Sequence, residues 1–441
     1  MMMKRLLLLT LLVVSVLASG FSQNGKIEFE EYDLENGLHV ILQQDHTTPN
    51  IVVSVMYHVG SKNESPELTG FAHFFEHLMF EGTKNIPRHQ YDKYVSRAGG
   101  ELNANTSTDR TYYFEMLPSN QLALGLWLES ERMLHAKVEE IGIKTQKGVV
   151  IQEKKQRYDN PPYGTILPQT MAHAYTKHPY RWTPIGDEEH IRNAKDEDFL
   201  NFYKEFYVPN NAVLTICGDF KTDEAKKLIN DYFAEIPKGT KEIYRPNSVE
   251  PEKTAEVRDT VFDNIQLPAV IQAYHIPAVG TSDFYAVDML SKLMTDGKSS
   301  RLYKELVDKQ QLAIQLMAFP MPNEDPGLTL AFGIPNMGVD PKVMEDEMDK
   351  QFAMVGDELI SEKEFQKLRN KIENELVSSN STIERRAENL ATAYTYFKDS
   401  ERVNKELDKY FAVTREDIRK VAKKYFVPKN RVVLYYLPKQ N

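Results

Sequence analysis

Gly70–Glu81 reads GFAHFFEHLMFE, and within it His73-Phe74-Phe75-Glu76-His77 sets two histidines four residues apart with an acid between them. On a helix, residues at i and i+4 share one face about one turn apart. His73 and His77 then aim two imidazoles at one point, and Glu76 shares their face. Two neutral imidazoles suit a zinc ion, and a carboxylate beside them suits a proton carrier. A catalytic zinc site needs three protein ligands and one open position. The third ligand must come from elsewhere in the chain. Glu153, 76 residues past His77 on a helical stretch, is the best placed, with Glu139, Glu140 and Asp159 open as alternatives.

Ahead of this turn, Asn36-Gly37 is a turn signal between two strand-like runs, and Ile51–Val59 (IVVSVMYHV) is a third. Behind it, Glu101–Met116 (ELNANTSTDRTYYFEM) reads as one strand with a polar, accessible side. Leu122–Ala136 and Ile141–Tyr158 are helical by periodicity, and Gln146, Val150, Glu153 and Arg157 fall on one stripe of the second. Asp223–Phe233 is a further amphipathic helix, with Thr222 placed to cap it. The proline-containing, charged stretch up to Val257 breaks the pattern and reads as a linker over 239–257.

The chain beyond the linker repeats the chain before it. Tyr207-Val208-Pro209-Asn210-Asn211 is answered by Phe426-Val427-Pro428-Lys429-Asn430, Glu197-Asp198-Phe199 by Glu416-Asp417-Ile418, and Pro49 by Pro268. All three pairs stand 219 residues apart, which argues for two similar halves, 26–238 and 258–441. The expected fold is α+β, each half a mixed or antiparallel sheet covered by helices, the two forming a clamshell. At the same offset His73 maps to Lys292, so only the first half, the catalytic one, carries the histidine pair and the second is metal-free.

The 441 residues hold enough chain for two to three domains. A net charge of −10, with no basic aromatic-rich stretch, argues against nucleic acid as a partner. The single cysteine, Cys217, excludes an intrachain disulfide and reads as a small core residue. Met1–Arg5 is basic, Leu6–Leu17 is apolar but short for a membrane span, and Ala18–Ser22 offers small residues for cleavage. Residues 1–22 therefore read as a secretory signal peptide with no cysteine after it for a lipid anchor. The mature chain is expected to be exported, to the periplasm in preference to the medium, without a stable membrane span.

GFAHFFEHLMFEGT resembles the signature of the pitrilysin-type metallopeptidases, the inverted zincins, a family that includes the short bacterial members and the mitochondrial processing peptidase subunits. GGELNANTSTDRTYYFEMLPSN resembles that family's substrate-facing edge strand, and DGKSSRLYKEL (Asp296–Leu306) a glycine-containing segment of its second half. The resemblance implies one zinc ion per chain held by His73, His77 and Glu153, with Glu76 as general base toward a zinc-held water. It implies that Asn103 and Ala104 hold extended peptide by strand addition, and that the activity is endopeptidase action on unfolded or short polypeptides. Gln146 departs from it, since many members have glutamate there. So does the region after Leu312, which has no arginine to meet the scissile carbonyl. That gap suggests a dimer, either a homodimer or a heterodimer with a metal-free homologous subunit. The rival reading is a non-catalytic peptide-binding or assembly subunit of the same fold.

Overall fold

The computed structural model describes residues 26–439; the signal-peptide reading at 1–22 lies outside the described residues. The strands β1 (Glu30–Asp33), β2 (His39–Gln44), β3 (Asn50–Tyr57), β4 (Glu101–Thr106), β5 (Thr111–Pro118) and β6 (Ala212–Gly218) form a sheet ordered β1-β2-β6-β3-β5-β4. Its β2 and β6 run parallel and the remaining neighbours antiparallel. A second sheet, ordered β7-β11-β8-β10-β9, contains β7 (Val257–Asp263), β8 (Ala269–His275), β9 (Ala313–Pro320), β10 (Leu328–Pro335) and β11 (Arg431–Pro438). Here β7 and β11 are the parallel pair. Strand for strand this is the first order without β1, and both β3 to β8 and β6 to β11 keep the offset of 219. The α+β class with two similar halves is therefore the architecture of the chain.

Glu101–Met116 is not one strand but two, folded back on each other at Ser107–Arg110. The turn contains no glycine or proline. Ser107 makes it, its hydroxyl accepting the amides of Asp109 (3.2 Å) and Arg110 (3.1 Å), a local bond that competes with the ladder. The result places β4 at the sheet edge, paired with β5 alone.

The helices of the first half are α1 (Phe71–Leu78), α2 (Tyr91–Arg97), α3 (Leu122–His135), α4 (Glu140–Lys154), α5 (Ile166–Ala174), α6 (Glu188–Asn193), α7 (Asp196–Phe206) and α8 (Thr222–Phe233). Thr222 opens α8 from inside; Lys221 takes the cap position without a side-chain bond. After the segment without regular structure come α9 (Ser282–Thr295), α10 (Pro341–Asp357), α11 (Glu362–Ser379), α12 (Ile383–Phe397), α13 (Arg402–Ala412) and α14 (Arg415–Tyr425).

Two helices are exchanged between the halves. Met171 and Ala174 of α5 pack with Ile271, Leu330 and Leu434 of the second sheet. Ala387, Leu390 and Ala391 of α12 pack with Ile41, Val52, Met56 and Cys217 of the first. Met171 and Leu390 again stand 219 apart, so the exchange is reciprocal. Each sheet buries one face under a helix its own half does not supply.

A buried ion cluster adds to this seam. Lys62 Nζ lies 3.0 Å from Asp109, 2.6 Å from Glu324 and 3.0 Å from Asp325, joining the β4–β5 turn to the β9–β10 turn. Burial alone would raise the Glu324 carboxyl, but His58 and Lys62 outweigh it and hold it down at about 2. Asp325 is held at about 2 in the same way by His178 and Lys62. A carboxyl depressed in the fold adds stability above its unfolded pKa and loses it as pH falls through the folded one. The seam is therefore expected to weaken as pH drops from about 4.5 to about 2, with Glu324 contributing on the order of 3 kcal/mol. Denaturant unfolding across that window, wild type against Glu324→Gln, checks it; parallel curves for the two would refute the assignment.

Candidate metal centre

α1 is a two-turn helix whose rotation is set by its apolar residues. Phe71, Phe74, Phe75 and Leu78 are buried, with Phe74 tilted against Phe199 at 4.6 Å and Phe75 stacked on Phe202 at 5.0 Å, ring centre to ring centre. This leaves the face with His73, Glu76 and His77 turned toward α4 and β4.

Glu153 lies in the last turn of α4. Its Oε2 is 3.5 Å from His73 Nε2 and 3.0 Å from His77 Nε2, and the imidazole centroids are 4.8 Å apart. Among the described residues, this trio is the group of three or more such side chains whose donor atoms could hold a metal, all within 4.8 Å of one another. Glu139, Glu140 and Asp159 do not enter it. The His73 and His77 imidazoles beside it hold the Glu153 carboxyl well below the usual range, although burial opposes them. Its Oε1 pairs with Arg157 at 2.9 Å, which leaves Oε2, buried and without a proper hydrogen bond, facing the imidazoles. A buried anionic oxygen lacking a donor, beside two imidazole nitrogens, fits a zinc ion. His73 Nδ1 is buried without a partner, so packing rather than an outer hydrogen bond orients that ring.

Glu76 stands outside the triangle. Its Oε2 accepts a 2.6 Å bond from the hydroxyl of Thr106, the last residue of β4. The carboxylate is thus tied to the end of the free edge strand. Asn103 is exposed in the middle of that strand, and its Oδ1 accepts the Ala104 amide at 2.9 Å. That amide is spoken for by a side chain instead of β5, which places it on the open edge.

Sequence reading missed Thr106, which no local pattern links to Glu76, and Glu64, whose carboxylate accepts the amides of Gly70 (2.9 Å) and Ala72 (2.8 Å) at the start of α1. Burial pushes the Glu64 carboxyl up to about 8 while those amides pull it back. The departure at Gln146 also has a partner. Its amide donates to Glu81 Oε1 at 2.6 Å, and Glu81 is buried. A glutamate at 146 would set two carboxylates against each other there.

In the second half, ion pairs stand where the histidines would be. Lys292, the counterpart of His73, pairs with Glu375 of α11 at 2.8 Å, and Asp296, the counterpart of His77, pairs with Lys371. These tie α9 to α11 with no metal ligand set.

The sequence model described as Insulinase (Peptidase family M16) matches residues 39–187. The model described as Peptidase M16 inactive domain matches 193–372. The "Zinc protease PqqE" of Helicobacter pylori is 34% identical over 374 residues, covering 83% of this chain and 83% of that protein. The "Probable mitochondrial-processing peptidase subunit beta" of Schizosaccharomyces pombe is 24% identical over 314 residues, covering 68% of this chain and 67% of that one. A solved structure of a protease from Helicobacter pylori superposes with a TM-score of 0.90 at 30% identity, over 94% of this chain and 100% of that chain.

Proposed function

The chain belongs to peptidase family M16, and on that premise we propose that it is a zinc-dependent endopeptidase acting on extended polypeptide. One observation carries the reading: His73 and His77 share a face of α1 with Glu76, Glu153 closes their triangle from α4, and Glu76 is bonded to the end of the edge strand β4. A zinc ion held by the three would supply a Lewis acid and make water there acidic enough to yield a proton near neutral pH. Glu76 takes the proton from the attacking water and delivers it to the leaving amine nitrogen. The Thr106 hydroxyl holds one Glu76 oxygen and leaves the other for that proton. Arg157 occupies Glu153 Oε1, so Oε2 would be the oxygen offered to the metal.

Substrate adds to the first sheet along β4. A peptide carbonyl replaces Asn103 Oδ1 on the Ala104 amide, so in the free protein Asn103 keeps an exposed edge donor satisfied. Main-chain pairing selects extended conformation over sequence, which suits unfolded chains and short peptides. No arginine lies in β9 or β10 to meet the scissile carbonyl. The working enzyme is therefore a dimer, either of two copies or with a metal-free homologous subunit; one relative bears the name of a subunit. Residues 1–22 direct the chain out of the cytoplasm, and no helix among the described residues is long and apolar enough to cross a membrane.

The test is hydrolysis of a quenched fluorescent peptide of about ten residues by the purified mature chain, with and without a co-purified partner. Cleavage that disappears with a chelator and returns with zinc is expected. Zinc bound at one per chain with no cleavage in either preparation would replace the enzyme by the peptide-binding subunit.

A further inference from the structure

α1 has to present two ligands and a base from two turns of helix, yet it lacks the usual means of starting itself. Its cap residue is Gly70, in the left-handed region at φ 93, with no side chain to accept an amide, and its first turn holds no acid. The first four amides of any helix lack intrahelical partners; in α1 that is half of the element. Short helices are poorly stable unless tertiary contacts hold them.

Glu64 supplies the missing cap from outside. It is 3% exposed, and its two oxygens divide between two amides, Oε2 taking Gly70 N at 2.9 Å and Oε1 taking Ala72 N at 2.8 Å. Ala72 immediately precedes His73. The same end of the helix is pinned from a second side. Thr69 Oγ1 lies 2.9 Å from His190 Nδ1 and accepts the Asp187 amide at 3.0 Å. The neighbouring loop meets the helix start backbone to backbone: a Cβ on Gly186 would fall 2.3 Å from Gly70 N. Those contacts fix position, but they leave the Gly70 and Ala72 amides to Glu64.

Resting on the zinc reading above, we propose that Glu64 is a positioning residue that locks the first turn of α1 and thereby sets the angle at which His73 and His77 converge with Glu153. It touches no metal, substrate or reacting atom. Its effect on the site passes through the backbone from Ala72 to His73. A glutamine at 64 keeps the shape but turns an N–H donor toward one of the two amides, so one end of the clamp becomes repulsive.

The experiment compares the full mature chain as wild type, Glu64→Gln and Glu64→Asp, with Leu390→Ala as a control for destabilisation far from the site. Three quantities are read: zinc affinity by competition with a chromophoric chelator, the visible spectrum of the cobalt-loaded protein, and the melting temperature without metal. Glu64→Gln is expected to bind zinc about 10–100-fold more weakly, the range seen when an outer group that orients a ligand is lost, and to give an altered cobalt spectrum. Leu390→Ala is expected to melt earlier with unchanged zinc affinity and spectrum. Zinc affinity within twofold of wild type and an unchanged spectrum in Glu64→Gln would overturn the proposal, whatever happens to the melting temperature. Should Glu64→Gln not fold, Glu64→Asp decides on the same two readouts, because it keeps both acceptor oxygens and shortens the reach. A wild type that binds no zinc would instead defeat the zinc reading itself.

Discussion

Glu76→Gln is expected to lower kcat for peptide hydrolysis by about 10²–10⁴-fold, the usual contribution of a positioned general base, with zinc still bound at the wild-type ratio. The amide matches the carboxylate in shape and can still accept the Thr106 hydroxyl. It cannot take a proton at working pH. Glu76 is not among the three side chains whose donor atoms converge, so its loss should not release metal. The β4 edge is untouched, so KM should change little, and a fall in kcat without a rise in KM marks an interaction made only in the transition state. Steady-state kinetics with metal analysis on the same samples checks this. Activity within tenfold of wild type would remove Glu76 from proton transfer.

The helix that sets His73, Glu76 and His77 side by side was legible because it depends only on spacing. The duplication was legible because three marker pairs share one offset, and the sheets repeat it strand for strand. The features that escaped the sequence depend on contacts between elements remote in the chain. Thr106 meets Glu76 because β4 runs beside α1, a tertiary fact. The turn at Ser107–Arg110 was hidden because a serine hydroxyl makes it, within a run rich in strand formers. Glu64 lies six residues ahead of the helix cap, too far for any local capping pattern.

The exchange of α5 and α12 shows a different limit. The repeat identifies them as equivalent helices, and their apolar residues mark each as half-buried. Neither fact says which sheet receives them. A sequence boundary in 239–257 separates the sheets but not their cover. The second half therefore does structural work for the first: α12 covers one face of the sheet whose edge strand is β4. At the positions equivalent to His73 and His77, the Lys292–Glu375 and Asp296–Lys371 pairs tie α9 to α11, as a metal would tie α1 to α4.

Glu153→Gln is expected to weaken zinc binding by more than about 100-fold, beyond the 10–100-fold seen for outer groups that only orient ligands, and to abolish cleavage at trace zinc. The glutamate is the one anionic member of the trio, and its Oε2 closes the triangle at 3.0 Å from His77 and 3.5 Å from His73. A neutral amide oxygen is a poorer zinc donor, and its NH2 group could turn toward the imidazoles. Arg157 would also lose its partner and leave uncompensated positive charge near the site. The two variants thus separate by metal content: Glu76→Gln inactive with zinc, Glu153→Gln inactive without it. Added zinc should restore cleavage partly in Glu153→Gln and not at all in Glu76→Gln, because only the first defect lies in holding the metal. Full zinc retention in Glu153→Gln would mean that another side chain completes the ligand set, and would shift the candidate site away from α4.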